Sequence, residues 1–237
     1  LDQATYDLYI GSRRADANTA FAGAVTECSI FNSALTLAKV QELYNDGEAL
    51  DALTHSSATN LAGYWRNEGG TTWTDLSTNS NNGTPTSITE HLTLPEGQNS
   101  RDTQGFLMNR VRSSGVNLPS GSDANFGKIN TTPITLANGA ASTISLWIKP
   151  RTFANNYVLG KSSTDHILLV SGSNIRFRAD SSYVSLIANT AVVLDEWTHL
   201  AITKLADGKT NLFLNGIDQD TEATGDRAFD ISFIGGT

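Results

Sequence analysis

The chain of 237 residues contains a single cysteine, Cys28, so no disulfide can form within it. It holds 16 lysines and arginines against 24 acidic residues, a formal net charge of -8. That balance argues against a nucleic-acid surface, because phosphate contacts need clustered cations. The mild acidity serves solubility, or else some carboxylates hold Ca2+. No run of 18 apolar residues occurs and no signal peptide is visible, so no membrane insertion is expected. The lone thiol lies in GAVTECSIF, an alternating stretch, and reads as a small, poorly accessible residue rather than a nucleophile. The chain opens on Leu1, and it is expected to be a processed or partial piece of something larger, so location cannot be read from targeting signals.

What is present is mostly strand. TISLWIKP (143–150) alternates Ile144, Leu146 and Ile148 and stops at Pro150, the period of a half-buried strand. Further short apolar runs are YVLGK, HILLVSG, NIRFRAD, EWTHLAITK, TNLFLNG and FDISFIGG, separated by Gly, Asn, Asp and Ser clusters. Asp207-Gly208 reads as a two-residue hairpin turn. Such spacing predicts an antiparallel sandwich or barrel.

One segment has helical period. In SALTLAKVQELYNDG, residues Leu37, Val40, Leu43 and Tyr44 share a face, Thr36 is placed to cap the first turn, and Gly47 lies just past the end. The polar stretch 51–60 reads as a linker. Residues 84–142 read as long loops with one or two strands.

Several stretches combine into a recognisable pattern. GYWRNEGGTTWTDLSTNSNNGT holds an aromatic strand, an acidic-glycine turn and a loop with Asp75, Ser77, Asn79, Asn82 and Gly83. Ile144–Pro150 forms a Trp-centred strand, Trp197-Thr198-His199-Leu200-Ala201 another, and LFLNG ends on Asn215-Gly216. FAGAVTECSIFNSALTLAKVQELY (21–44) completes the set. Together these resemble the laminin-G-like, concanavalin A-like lectin family, in the tandem-repeat version of phage and bacterial surface proteins. Against that family's pattern, Thr78 replaces a usual Gly and Thr26 a usual Asp, Glu27 is kept, and Lys39 stands at an acidic position. The resemblance implies an all-β antiparallel jelly-roll sandwich with one short helix.

The order of the pieces is inverted, since the closing motif (21–44) precedes the opening motif (63–83). Residues 1–50 are therefore expected to be the C-terminal strands and helix of a first repeat, and 61–237 a second repeat lacking its last strands. Three arrangements stay open: 1–50 closes the sandwich of its own chain, closes that of a neighbouring copy, or belongs to a two-domain fragment. YDLYIGSR (6–13) and FDISFIGGT (229–237) look like one family position in successive repeats. Tyr6–Arg13 is expected to run on into the closing strand, with Phe229–Thr237 in the second repeat's own sheet.

Chemistry is sparse. A glycosidase needs two carboxylates about 5–9 Å apart along a groove, and the nearest pair, Asp195 and Glu196, points to opposite faces of a strand. His55, His91, His166 and His199 have no zinc-ligand spacing, and His199 reads as a packed core residue. The resemblance implies a structural Ca2+, for which Asp75, Asn79 and Asn82 are the candidate ligands, with Asp16 and Asn18 a weaker pair; the alternative for these residues is a set of side-chain-to-backbone turns. Trp73, Phe153, Tyr157 and Tyr183 lie near polar loops and are the candidate sugar platform, or else lids over the sandwich edge; Trp65, Trp147 and Trp197 read as core. The expected function is a non-enzymatic structural or adhesion module of an extracellular assembly, such as a phage or virus particle or a surface fibre. Its expected partners are other copies of itself or neighbouring assembly proteins, at an extracellular or virion surface. The alternative is a glycan-binding lectin module, and a glycoside-active enzyme ranks third.

Overall fold

The computed structural model describes residues 8–12, 21, 23–66, 72–86, 89–90, 116–118, 128–131, 140–153, 156–160, 166–171, 174–179, 182–207 and 209–219. In chain order its elements begin with β1 (Leu8–Ile10), β2 (Gly23–Phe31), α1 (Leu37–Tyr44) and β3 (Leu61–Trp65). There follow β4 (Gly83–Thr86), β5 (Thr89–Glu90), β6 (Val116–Leu118), β7 (Lys128–Thr131), β8 (Ser142–Pro150) and β9 (Asn156–Gly160). The last are β10 (His166–Ser171), β11 (Asn174–Ala179), β12 (Ser182–Ile187), β13 (Thr198–Lys204), β14 (Thr210–Leu214) and β15 (Ile217–Asp218).

Alternation dictates the layering. In β8 and β13 the opposed pairs Ile144↔Ile202, Leu146↔Leu200 and Ile148↔Thr198 share one face, and the apolar members of those pairs lie in the main core. Two antiparallel sheets pack face to face around that core. Among the described residues one runs β12-β11-β10-β9-β1-β7-β4, and the other β15-β14-β13-β8-β2-β6-β5, with β3 also paired to β2. Leu8, Ile10, Leu159 and Ile167 reach the core from the first sheet, and Val25, Cys28, Ile30, Leu146 and Leu200 from the second. The region 84–142, expected to hold one or two strands, contributes β5, β6 and β7 as well as most of β4.

Strand β2 pairs with β8 along one edge, and with β6 and β3 along the other, all in the same chain. This is the pairing that closure within one chain requires. Strand β1 does not share its sheet. It lies between β7 and β9 on the opposite side of the core, which corrects the expectation that Tyr6–Arg13 runs on into the closing strand. Residues 229–237 lie outside the described residues. So does Gly208, but the β13–β14 connection is longer than a two-residue turn: Leu205 N–H donates to the Lys209 carbonyl at 2.8 Å, and Asp207 Oδ1 accepts from Lys209 N–H at 3.0 Å.

The outer face of the eight-stranded sheet is buried too. Phe31, Tyr64, Ala201 and Phe213 form a second core with Leu35, Val40 and Leu43 of the helical segment. Tyr44 stacks on Trp147 with ring centroids 5.8 Å apart. The sequence assigned Leu37 to the packed face, but it is 43 % exposed, and Leu35, just before the Thr36 N-cap position, is buried instead. The Leu35–Val40 spacing is that of a hydrophobic staple. Thr36 makes no side-chain cap, and the helix ends at Asn45 in the left-handed conformation, φ 47°.

Residues 51–60, read from sequence as a linker, form two short 3-10 turns fastened to α1. His55 is buried; its Nε2 lies 3.0 Å from the Lys39 carbonyl, and its Nδ1 accepts from Ser57 N–H at 3.0 Å, so the ring carries its proton on Nε2. Glu42 accepts from Ser56 N–H at 2.7 Å and from its hydroxyl at 2.5 Å. Desolvation pulls the Glu42 carboxyl upward, but the two Ser56 bonds together with the nearby His55 and Lys39 hold the group below its ordinary value.

Asn215-Gly216 makes the β14–β15 turn with both residues at positive φ, 50° and 72°, the backbone of a type I′ hairpin. A Cβ on Gly216 would lie 2.8 Å from Tyr44 Cδ1. Gly216→Ala is therefore expected to lower unfolding free energy by about 1–3 kcal/mol, through strain and overpacking together. Urea denaturation checks this, and a loss under about 0.5 kcal/mol would mean Tyr44 yields freely. Cys28 is fully buried and its thiol is pushed up to about 12 by desolvation. It is expected to resist thiol reagents in the native protein at pH 8 and to react fully once unfolded.

Candidate functional site

Strand β3 is paired to β2 along one edge, leaving a second edge of N–H and C=O groups that would otherwise invite another strand. Side chains of the 72–83 loop cover it. Tyr64 N–H donates to Asp75 Oδ1 at 2.9 Å, and the Tyr64 carbonyl accepts from Leu76 N–H at 2.8 Å. Asn79 Nδ2 donates to the carbonyls of Leu61 (3.1 Å) and Ala62 (3.2 Å), and Asn81 Nδ2 to Ala62 (3.0 Å). The Trp65 indole donates to the Asn81 carbonyl at 2.9 Å. The loop is closed at its base by paired backbone bonds between Trp73 and Gly83.

The candidate calcium ligands are spent in this arrangement. Asp75 is 5 % exposed; Oδ1 accepts from Tyr64 and Ser77 N–H groups, and Oδ2 accepts from Asn81 N–H at 2.8 Å. Asn82 Oδ1 accepts from Asp75 N–H at 3.0 Å, and Asn79 turns its amide nitrogen toward the strand carbonyls. Ca2+ takes six to eight oxygens, and this donor set does not fit it. Among the described residues no group of three or more His, Cys, Asp or Glu is placed to share a metal. Asp16 and Asn18 lie outside the described residues.

A second polar cluster forms where β2 bulges. Between Thr26↔Trp147 and Ser29↔Ser145 the strand uses one residue more than its partner, and Glu27 takes a left-handed φ of 51°. Glu27 is 7 % exposed and accepts from the Tyr64 hydroxyl through Oε2, while its Oε1 lies 3.4 Å from Arg66 Nε. Arg66 also donates to Asp51 Oδ2 at 3.0 Å. Burial pushes the Glu27 carboxyl above its ordinary value; Arg66 and the Tyr64 hydroxyl pull it back only in part. Burial, then the Glu27 charge, pushes the Tyr64 phenol up as well. Sequence reading had marked Glu27 only as a retained motif residue and had missed Asp51, Tyr64, Arg66 and Asn81. The available signal was Asp51 opening D-x-x-T, where Oδ1 accepts from Leu53 N–H at 3.0 Å and starts a 3-10 turn.

Neither cluster offers catalytic access. Both Glu27 oxygens face protein partners. Ser145 Oγ lies 2.8 Å from His199 Nε2, the spacing of a nucleophile and its base. Both residues are at most 2 % exposed, however, and the His199 ring lies 6.0 Å from that of Tyr44 and 5.3 Å from that of Trp147. His199 is thus the packed core residue that its strand position suggested.

The candidate aromatic residues divide. Trp73 is corrected from loop platform to core: it is 2 % exposed and packed in the main cluster, because its bridge to Gly83 draws it under the loop. Phe153 is half-buried and packs against the same core, in the manner of a lid. Trp65 and Trp147 are buried and Trp197 is half-buried. Tyr157 of β9 is half-buried, and Tyr183 stands on β12 opposite Arg178. The register Leu159↔Ile167↔Phe177↔Val184 contains the fully buried Leu159 and Ile167, so that row faces the core. The flanking rows, Tyr157↔Leu168↔Arg176↔Ser185 and Gly160↔His166↔Arg178↔Tyr183, therefore belong to the opposite face. Tyr157 and Tyr183 fall on one sheet face in adjacent rows, three strands or about 14 Å apart across the sheet.

Residues 123–236 match the family model of the concanavalin A-like lectin/glucanases superfamily. The match covers just under half of the 237 residues. No curated protein and no solved structure gives a match. The two antiparallel sheets with one short helix are the concanavalin A-like sandwich. That match supports a lectin-like or binding module.

Two outcomes follow from the clusters. Asp75→Ala is expected to cost about 2–4 kcal/mol, since it strands several buried N–H groups, while adding Ca2+ or a chelator shifts the melting temperature by less than about 1 °C; a large calcium-dependent rise would refute the polar-clamp reading of the loop. Because the Glu27 pKa is raised in the fold, its contribution is fully present below the unfolded value of 4.5 and is lost as pH climbs through the folded value. The unfolding free energy of the parent relative to Glu27→Gln is therefore expected to fall as pH rises above 4.5. A flat difference from pH 4 to 8 (about four pH units) would contradict it.

Proposed function

We propose that the chain is a non-enzymatic structural or adhesion module of an extracellular assembly, such as a phage or virus particle or a surface fibre. One observation carries this reading. The polar clusters described above, around Asp75, Glu27 and His199, are each engaged in holding strands together, which leaves surface presentation as the working principle. The inverted order of the elements supports a tandem architecture, in which 1–50 carries the closing elements of a repeat and partners are other copies or neighbouring assembly proteins.

A second reading, a glycan-binding lectin module, is favoured by Tyr157 and Tyr183 sharing one face of the seven-stranded sheet. The two readings are compatible, since adhesion to a surface glycan serves both. An enzyme acting on glycosides ranks third.

The test incubates the purified chain with a polysaccharide panel and reads both retention and released reducing ends. Retention or self-association on light scattering, without hydrolysis, is the expected result. Sustained release of reducing ends would overturn the non-enzymatic reading.

A further inference from the structure

We propose that Arg66 is a proton-governed tether shared by two carboxylates, Glu27 of the β2 bulge and Asp51 of the helical layer. With Glu27 protonated, Arg66 holds Asp51 and fastens the first 3-10 turn (Ala52–Thr54) to the sheet. With Glu27 ionised, Arg66 swings to Glu27 and that turn loosens.

The distances carry the argument. Arg66 Nη1 lies 3.0 Å from Asp51 Oδ2, whereas Arg66 Nε stands 3.4 Å from Glu27 Oε1. A guanidinium–carboxylate bond closes to about 2.7–2.9 Å, so the arm is engaged with Asp51 and only leans towards Glu27. The other Glu27 oxygen is held by the Tyr64 hydroxyl, whose phenol is pushed up by burial and keeps its proton. The groups that bear on Glu27 are Arg66, Tyr64 and Asp51, and among the described residues Arg66 is the cation of that set. A carboxylate ionised at 7 % exposure must be paired, and drawing Arg66 inward is the move that pairs it. Burial and the Asp51 charge both favour the neutral form of Glu27, so the swing waits on a rise in pH.

Asp51 sits where that pull is felt. Its Oδ1 accepts from Leu53 N–H at 3.0 Å, and its carbonyl accepts from the Thr54 hydroxyl and N–H, both at 2.8 Å. One residue therefore starts the turn and, through Oδ2, ties it to the end of β3. The Asp51 side chain is 34 % exposed, so water can solvate it when Arg66 leaves; Glu27 has no such access, and this difference sets the direction of the swing. Loosening stays local, because Ala52 packs in the second core and His55 is bonded to the Lys39 carbonyl. The other titrating pair of this layer, His55 and Glu42, lies 3.4 Å apart beyond the turn, and a Glu27 variant separates its effect.

The experiment titrates the full chain from about pH 4.5 to about pH 8. NMR follows the Glu27 carboxyl, Arg66 Nε and the Leu53 and Thr54 amides, together with hydrogen exchange at those two amides corrected for its intrinsic rate. Arg66 Nε and both amides are expected to shift with the midpoint of the Glu27 carboxyl. Protection of the two amides should fall about three- to tenfold across that midpoint. Glu27→Gln should abolish the midpoint and keep the turn protected throughout, and Arg66→Gln should leave the turn loose at every pH. Amides that move with the His55 midpoint, or that behave alike in the parent and Glu27→Gln, would overturn the tether. So would a Glu27 titration that leaves Leu53 and Thr54 unmoved, or a parent-like profile in Arg66→Gln.

Discussion

Strand β2 occupies the middle of the eight-stranded sheet, and the rest of the sandwich depends on it. Its nine residues pair with β8 over most of their length, and with β6 and β3 in turn along the other edge. Without β2, β8 would present an open edge, β3 would lose its only paired strand among the described residues, and Val25, Cys28 and Ile30 would leave the core. The bulge at Glu27 is what lets this strand serve two surfaces. The extra residue keeps Ile30 opposite Ile144 on the core side while Phe31 faces the helical layer. The left-handed backbone there costs on the order of 1 kcal/mol, offset by the contacts that Glu27 makes with Tyr64 and Arg66.

Burial of both faces of that sheet accounts for its unusual polar content. A one-sided sheet would leave Ser145, Thr143 and His199 in water; here α1 and the 51–60 turns cover them, so each needs a partner. Thr143 Oγ1 donates to the Ser33 carbonyl and accepts from Leu35 N–H, both at 2.8 Å, and thereby anchors the approach to the helix. Ser145 Oγ and His199 Nε2 bond to one another. These contacts lock a helix of only eight residues, too short to persist alone. The same economy holds at β3, where an Asn-rich loop stands in for a neighbouring strand. A loop whose composition suggests a metal site, or an aromatic one such as Trp73, can equally be a cover for an exposed edge.

Legibility in the sequence followed the range of the interaction involved. Period-two runs such as Ile144–Ile148 are local and are found as read, whereas the β13–β14 connection, read as a two-residue turn, is longer. Strand β12, SYVSLI, was overlooked because its polar residues blur the alternation. Residues 51–60 read as a linker because their apolar content is low; their order comes from His55, Ser56 and Ser57 bonding to a helix that is more than ten residues away. The candidate sites fared unevenly for the same reason. Asp75, Asn79 and Asn82 do cluster, but whether their oxygens meet a cation or backbone N–H groups depends on where β3 lies.

Contacts among near neighbours made the strongly alternating strands, such as β8 and β13, and the single helix readable from the residues alone. Long-range pairing placed β2 in the sheet of its own chain, put β1 in the opposite sheet and drew Trp73 into the core. It alone also brought Tyr157, Tyr183 and two arginines onto one face. Those outcomes turn on pairings between residues more than a hundred positions apart in the case of β2 and β8, and alternation along a single strand says which residues share a face but not which strand lies beside it.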